Sequence, residues 1–143
     1  MTNFRRRAIK TNVFPNIALA AATAPPRLRM NPSPDASLET DCRTVREKLA
    51  HGGHFMLVDC REQDEFDLVH IAGAALIPMS QLGDRVGELA PYRDWDLAIH
   101  CHHGGRSLRV AQWLREQGFA KAQSMAGGID QWAVEIDPGL HRY

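Results

Sequence analysis

From about Leu38 to the end of the chain, short apolar runs take turns with stretches patterned for helices. That alternation is the strongest constraint on the fold. A strand buried on both faces reads as a continuous apolar run, and two parallel strands need a crossover, usually helical, between them. The runs are Phe55-Met56-Leu57-Val58, Ala74-Ala75-Leu76-Ile77 closed by Pro78, Leu97-Ala98-Ile99-His100, and Ala122 to Met125. Before the first of them, Thr40-Asp41 caps a helix through Ala50 that Gly52-Gly53 stops. Ser80 opens a helix through Leu89, Ser107 to Gln117 carries Val110, Ala111 and Leu114 on one side, and Gly128 to Val134 forms a last helix. The pattern predicts an α/β domain with a mainly parallel central sheet flanked by helices. Functional residues in such folds gather at the carboxyl ends of the strands.

A chain of 143 residues suits one domain, and it contains no apolar run near the roughly 18 residues a membrane-spanning helix needs. The neutral total charge hides a split. Residues 1–30 carry six basic side chains and no acid, whereas residues 31–143 carry 11 basic and 17 acidic ones. An acidic body argues against a broad nucleic-acid interface, which needs a basic face. The basic start, the mildly apolar Val13 to Ala22 and the small residues to Ala24 follow the order of a secretory signal, and an acid-free Arg-rich start also suits a transit peptide. Pro15, Asn16 and Pro25-Pro26 interrupt that layout. The expected organisation is therefore a disordered extension over 1–30, or an upstream stretch before a start at Met30, followed by a cytoplasmic domain over 31–143. Three cysteines, an odd number, fit reduced thiols better than a disulfide framework.

The segment richest in chemistry is Ile99-His100-Cys101-His102-His103-Gly104-Gly105-Arg106-Ser107. A cysteine ends a buried strand, four residues follow, and an arginine opens a helix. The strand fixes the thiol, and the glycines let the backbone curl so that successive amides form an anion-binding nest. The helix N-terminus adds about half a positive charge, and Arg106 adds a permanent cation. A thiol in that field should ionise below its free pKa of about 8.5. Cys42, on a helix face, and Cys60, just after a strand, lack such surroundings and read as buried structural thiols.

With these residues the chain resembles the single-domain rhodanese-like sulfurtransferases, from about Leu38 to Tyr143. Leu57-Val58-Asp59-Cys60-Arg61-Glu62 is similar to the family's Asp-Val-Arg-Glu strand end, with Cys60 in place of an aliphatic residue. Glu65-Phe66 and His70-Ile71-Ala72-Gly73-Ala74 resemble a second signature, with Val69 where the pattern has glycine. Cys101 to Arg106 resembles the active-site loop, and Gly127-Gly128-Ile129 with Trp132 the carboxyl-terminal motif. The closing Asp137 to Tyr143 is similar to the tails of free-standing rhodaneses and of rhodanese domains fused to adenylyltransferases.

The resemblance implies a three-layer rhodanese-like fold and no cofactor or metal. It also implies catalysis through a Cys101 persulfide drawn from a small anionic donor such as thiosulfate. His102, His103, Gly104, Gly105 and Arg106 would form the loop and anion site, supported by Asp59, Arg61 and Ser107. Val69 implies a turn that needs no positive φ or takes another shape, His70 reads as a structural hydrogen bonder, and Trp132 as core. A cysteine desulfurase persulfide or a polysulfide would suit the same loop as donor. Thioredoxin, a sulfur-carrier protein, a tRNA-thiolation enzyme or cyanide would suit it as acceptor.

Three other readings share these residues. Cysteine-dependent phosphatases and arsenate reductases use a similar nest, but the phosphatases place five residues between cysteine and arginine where this chain has four. His100, Cys101, His102 and His103 are metal-ligand types, yet neighbours at a strand end point apart and the usual ligand separations are missing. The non-catalytic rhodanese-like module, for binding or redox sensing, commonly lacks the cysteine that this chain keeps. Cys60 would become a resolving thiol if it lay beside Cys101, a distance the sequence does not supply.

Overall fold

The computed structural model describes residues 37–143, so the expectations for 1–30 lie outside the described residues. A five-stranded sheet forms the middle layer, built from β1 (Glu39–Thr40), β2 (Phe55–Asp59), β3 (Ala75–Leu76), β4 (Asp96–His100) and β5 (Ala122–Met125). The spatial order is β1-β5-β4-β2-β3 and every pairing is parallel. The helices are α1 (Cys42–His51), α2 (Gln63–Leu68), α3 (Leu82–Arg85), α4 (Gly105–Glu116) and α5 (Gly128–Glu135). This is the expected α/β architecture, a parallel sheet between two helical layers.

Alternation along the central strands assigns the two faces. Met56, Val58 and Cys60 face the same core as Leu97, Ile99 and Cys101, which α4 covers with Val110, Ala111 and Leu114. Leu57 and Ala98 face the other core, filled by Val45 of α1 and by Ile129 and Trp132 of α5. Trp132 is therefore a core residue. β2 and β4 run side by side in register from Phe55↔Asp96 to Asp59↔His100, so they end at the same level. Cys60 and Cys101 are the next residues on each, and Cys60 N–H donates to His100 O at 3.0 Å.

Three elements differ from the expected ones. The helix read from Ser80 through Leu89 is broken into a 3-10 turn at Met79–Gln81, the four residues of α3, and a 3-10 stretch over Val86–Tyr92. Gly83, Gly87 and Pro91 explain the break, since glycine disfavours the helix interior and proline removes a donor. Short β1 pairs with β5 through Glu39↔Ser124 and Thr40↔Met125, too brief for any alternation to show. Polar α2 buries no residue and is held by a capping box in which the Glu62 and Glu65 side chains each serve the other's backbone N–H. Val69 ends α2 in extended backbone at φ −165°, so the turn that carries glycine elsewhere needs no left-handed residue here. His70 Nδ1 lies 3.0 Å from Phe66 O, and its ring stacks on Phe66, a local structural role.

Candidate active site

Cys101 leaves β4 into a loop whose curl is set by Gly104, at φ +115°. Only residues without a Cβ take that conformation at little cost. The turn carries Gly104 N–H back to within 3.1 Å of Cys101 Sγ, and the first turn of α4 brings Ser107 N–H to 3.3 Å. Ser107 Oγ stands 3.4 Å from the sulfur and 2.8 Å from Ser124 Oγ. The amides that meet the sulfur are that of Gly104, within the expected loop, and that of Ser107, one residue beyond it. Cys101 is 2% exposed, so its sulfur sits at the floor of the loop.

The remaining contact is with Cys60. Hydrogen bonding from its thiol is the largest influence lowering Cys101, to about 4. Burial opposes it, while the Ser107 hydroxyl, the Ser107 amide and the Gly104 amide act in the same direction. Cys60, fully buried, is driven far upward by the same hydrogen bond and by desolvation. The negative charge therefore rests on Cys101 and the proton on Cys60. This corrects the reading of Cys60 as a structural thiol without special surroundings: the shared register of β2 and β4 puts it in the site. Cys42 keeps that reading, since burial pushes its thiol up to about 11.

Arg106 does not point its charge at the sulfur alone. Its guanidinium grips Glu65 at 2.9 and 3.0 Å and holds that carboxyl down to about 2. The loop is tied in this way to α2. Asp59 and Arg61 form a buried pair at 2.6 Å on the opposite face of β2 from Cys60. Arg61 also donates to Glu65 O, Val69 O and Tyr143 Oη. Both residues thus reach Cys101 only indirectly, by fixing the segment that holds Arg106. Buried His100 lies 3.5 Å from Asp59, and desolvation lowers its pKa, which keeps the ring neutral.

Sequence reasoning passed over two supports. Tyr143 lays its ring on His102 at 3.9 Å and 7°, while its hydroxyl accepts from Arg61 and donates to Glu65 at 2.9 Å. The α5 N-terminus, formed by the Gly-Gly-Ile motif, gives Ile129 N–H to Cys101 O at 2.9 Å and Asp130 N–H to His102 O at 3.1 Å. Both loop carbonyls are turned toward α5 and away from the sulfur. His102 is half-buried under Tyr143, and exposed His103 reaches toward Asp130 at 4.0 Å. His100 is buried against Asp59, apart from His102 and His103, whose rings lie 3.9 Å from each other, and no cluster of three or more metal-ligand types occurs among the described residues.

The charge on Cys101 has a direct readout. Its alkylation rate is expected to rise with pH through a midpoint near 4 and to be flat across neutral pH, because the thiolate already dominates there. A midpoint near the free value of about 8.5 would remove the thiolate assignment.

The model of the rhodanese-like domain family matches residues 42–135. A Mycobacterium tuberculosis protein named "Probable adenylyltransferase/sulfurtransferase MoeZ" is 34% identical over 101 residues, which are 71% of this chain and 26% of that protein. A protein of Allochromatium vinosum named "Sulfurtransferase" is 32% identical over 95 residues, 66% of this chain and 87% of that one. Among solved structures, the human single-domain sulfurtransferase TSTD1 superposes with a TM-score of 0.59 at 26% identity, covering 70% of this chain and 98% of that one. The chain spans about a quarter of the length of the mycobacterial relative, and no helix among the described residues is long and apolar enough to cross a membrane. A family match over most of the described residues, with relatives named as sulfurtransferases, agrees with a cysteine sulfur held in an amide nest: the chain belongs to the rhodanese-like family.

Proposed function

We propose that this protein is a sulfurtransferase that carries sulfane sulfur on Cys101 from a small anionic donor, thiosulfate being the simplest, to a thiophilic acceptor. The observation that carries this reading is the Cys101 sulfur facing the Gly104 and Ser107 amides, a setting that favours its thiolate. The thiolate attacks the outer sulfur of thiosulfate, forming the Cys101 S–S bond as sulfite departs with the electron pair. The persulfide so formed keeps a negative charge, which preorganised amides stabilise without reorientation. An acceptor nucleophile then takes the outer sulfur and releases the Cys101 thiolate.

The four-residue spacing from Cys101 to Arg106 favours sulfur over phosphate, and the intact nucleophile favours catalysis over a purely binding module. Arg106 adds to this, because its two-pronged pairing with Glu65 leaves it committed to the fold instead of to a phosphate. Thioredoxin, a cysteine desulfurase and a sulfur-carrier protein are the partner classes we propose. The adenylyltransferase/sulfurtransferase named among the relatives supports the last.

Steady-state assays that vary thiosulfate and cyanide together test the reading. Thiocyanate formation with parallel double-reciprocal lines is expected, because the covalent intermediate separates the two half-reactions. No thiocyanate from thiosulfate, polysulfide or a persulfide-loaded desulfurase would overturn it.

A further inference from the structure

Cys60 carries no sulfur in the transfer just described, yet it occupies the floor of the site. β2 and β4 pair in parallel register up to Asp59↔His100, and extending that register by one residue sets Cys60 opposite Cys101. Neighbouring strands lie about 4.8 Å apart, inside the Cα separation of about 4.4–6.8 Å that a disulfide spans. Both side chains enter the same core. Both main chains are pinned as well. Cys60 N–H donates to His100 O and its carbonyl accepts from Met79 N–H at 2.9 Å, while Cys101 O accepts from Ile129 N–H. The Cys60 thiol is also the largest single influence on the Cys101 sulfur. A pair held this way meets the Cα separation that a disulfide requires.

We propose that Cys60 is a resolving thiol, which in the absence of an acceptor converts the Cys101 persulfide into a Cys60–Cys101 disulfide and releases hydrogen sulfide. The inference rests on the sulfurtransferase reading, since it starts from the persulfide. The Cys60 sulfur attacks the inner sulfur, Cys101 Sγ. The Cys60–Cys101 S–S bond forms, and the bond to the outer sulfur breaks with its electron pair. The Cys60 proton passes to the departing sulfur, so the product is HS⁻. Two cysteine sulfurs are oxidised to the disulfide as the sulfane sulfur is reduced to sulfide. An external dithiol then restores both thiols by exchange. The protein would in this way act as a dithiol-dependent sulfide-releasing reductase of sulfane sulfur, besides acting as a transferase.

The experiment uses the full chain beside Cys60→Ala and Cys60→Val, the second returning an aliphatic side chain to a buried apolar position. Each protein, reduced and freed of reductant, is given thiosulfate without acceptor. Intact mass is followed under non-reducing conditions, released sulfide is measured, and transferase activity is assayed before and after a dithiol. The parent is expected to pass through a form one sulfur heavier and to end two hydrogens lighter than the starting protein. It should release close to one equivalent of sulfide and lose transferase activity until the dithiol restores it.

Both variants are expected to stop at the form one sulfur heavier, with sulfide release lower by about tenfold or more. A parent that holds the extra sulfur as stably as the variants, with no disulfide and no sulfide, overturns the resolving role and leaves the sulfurtransferase reading standing. Failure of the parent and of both folded variants to gain sulfur overturns the persulfide itself, and the resolving step with it.

Discussion

Cys101→Ser is expected to abolish thiocyanate formation from thiosulfate and cyanide, lowering the rate by about a thousandfold or more, as loss of a covalent nucleophile does elsewhere. The fold should survive. Serine is smaller by little, and its hydroxyl can accept from the same Gly104 and Ser107 amides that now meet the sulfur. A thermal midpoint within a few degrees of the parent is the accompanying expectation. The chemistry fails because a serine hydroxyl stays protonated in a nest that ionises a thiol, and oxygen does not form the S–S bond on which the transfer depends. The variant also tests whether the second buried thiol can stand in. The Gly104 and Ser107 amides that would hold a persulfide's charge face the residue-101 side chain, so Cys60 should not take over as the sulfur carrier. Residual activity near that of the parent would place the sulfur elsewhere and remove Cys101 from the centre of the mechanism.

The architecture was legible wherever burial leaves a continuous apolar record. Phe55 to Val58 and Leu97 to His100 declare themselves as strands because both of their faces are covered, and Ala122–Met125 matches its expected limits. Elements held by tertiary contacts leave no such record. The α2 helix buries no residue and depends on its capping box and on Arg106 reaching across to Glu65. β1 is two residues long and exists because β5 is beside it.

The same division runs through the site. Cys101, the loop glycines and Ser107 are neighbours in sequence, so their joint chemistry is written locally. Cys60, Glu65 and Tyr143 are brought in by strand register and by the closing segment of the chain, and register is a relation between strands that neither strand encodes alone. Asp59 and Arg61 fall between these cases. Their position at a strand end was readable, but the face of β2 they occupy, the far one from the thiol, was not.

Gly128→Ala is expected to cause the largest loss of stability in a single methyl-sized change, and to lower transferase activity with it. Gly128 has φ +61°, a conformation that costs an L-residue about 1–2 kcal/mol. Its added Cβ would also fall within 2.5 Å of the Cys101 carbonyl oxygen and overlap the His102 carbonyl group. Those atoms are backbone and cannot swing aside as a side chain would. Either α5 withdraws, losing the Ile129 and Asp130 amide bonds to the loop, or the loop moves and takes Gly104 N–H away from the sulfur.

Overpacking of this kind adds about 1–3 kcal/mol, for a total of about 2–5 kcal/mol. Gly53→Ala separates the two contributions, since Gly53 has φ +84° with nothing within 4 Å of an added Cβ. That variant should lose only the conformational part, about 1–2 kcal/mol, and keep full activity. Chemical denaturation of both variants, read beside their alkylation midpoints, makes the comparison. An equal loss in the two, with the Cys101 midpoint unmoved in Gly128→Ala, would show that the contact between α5 and the loop does not set the geometry around the thiolate.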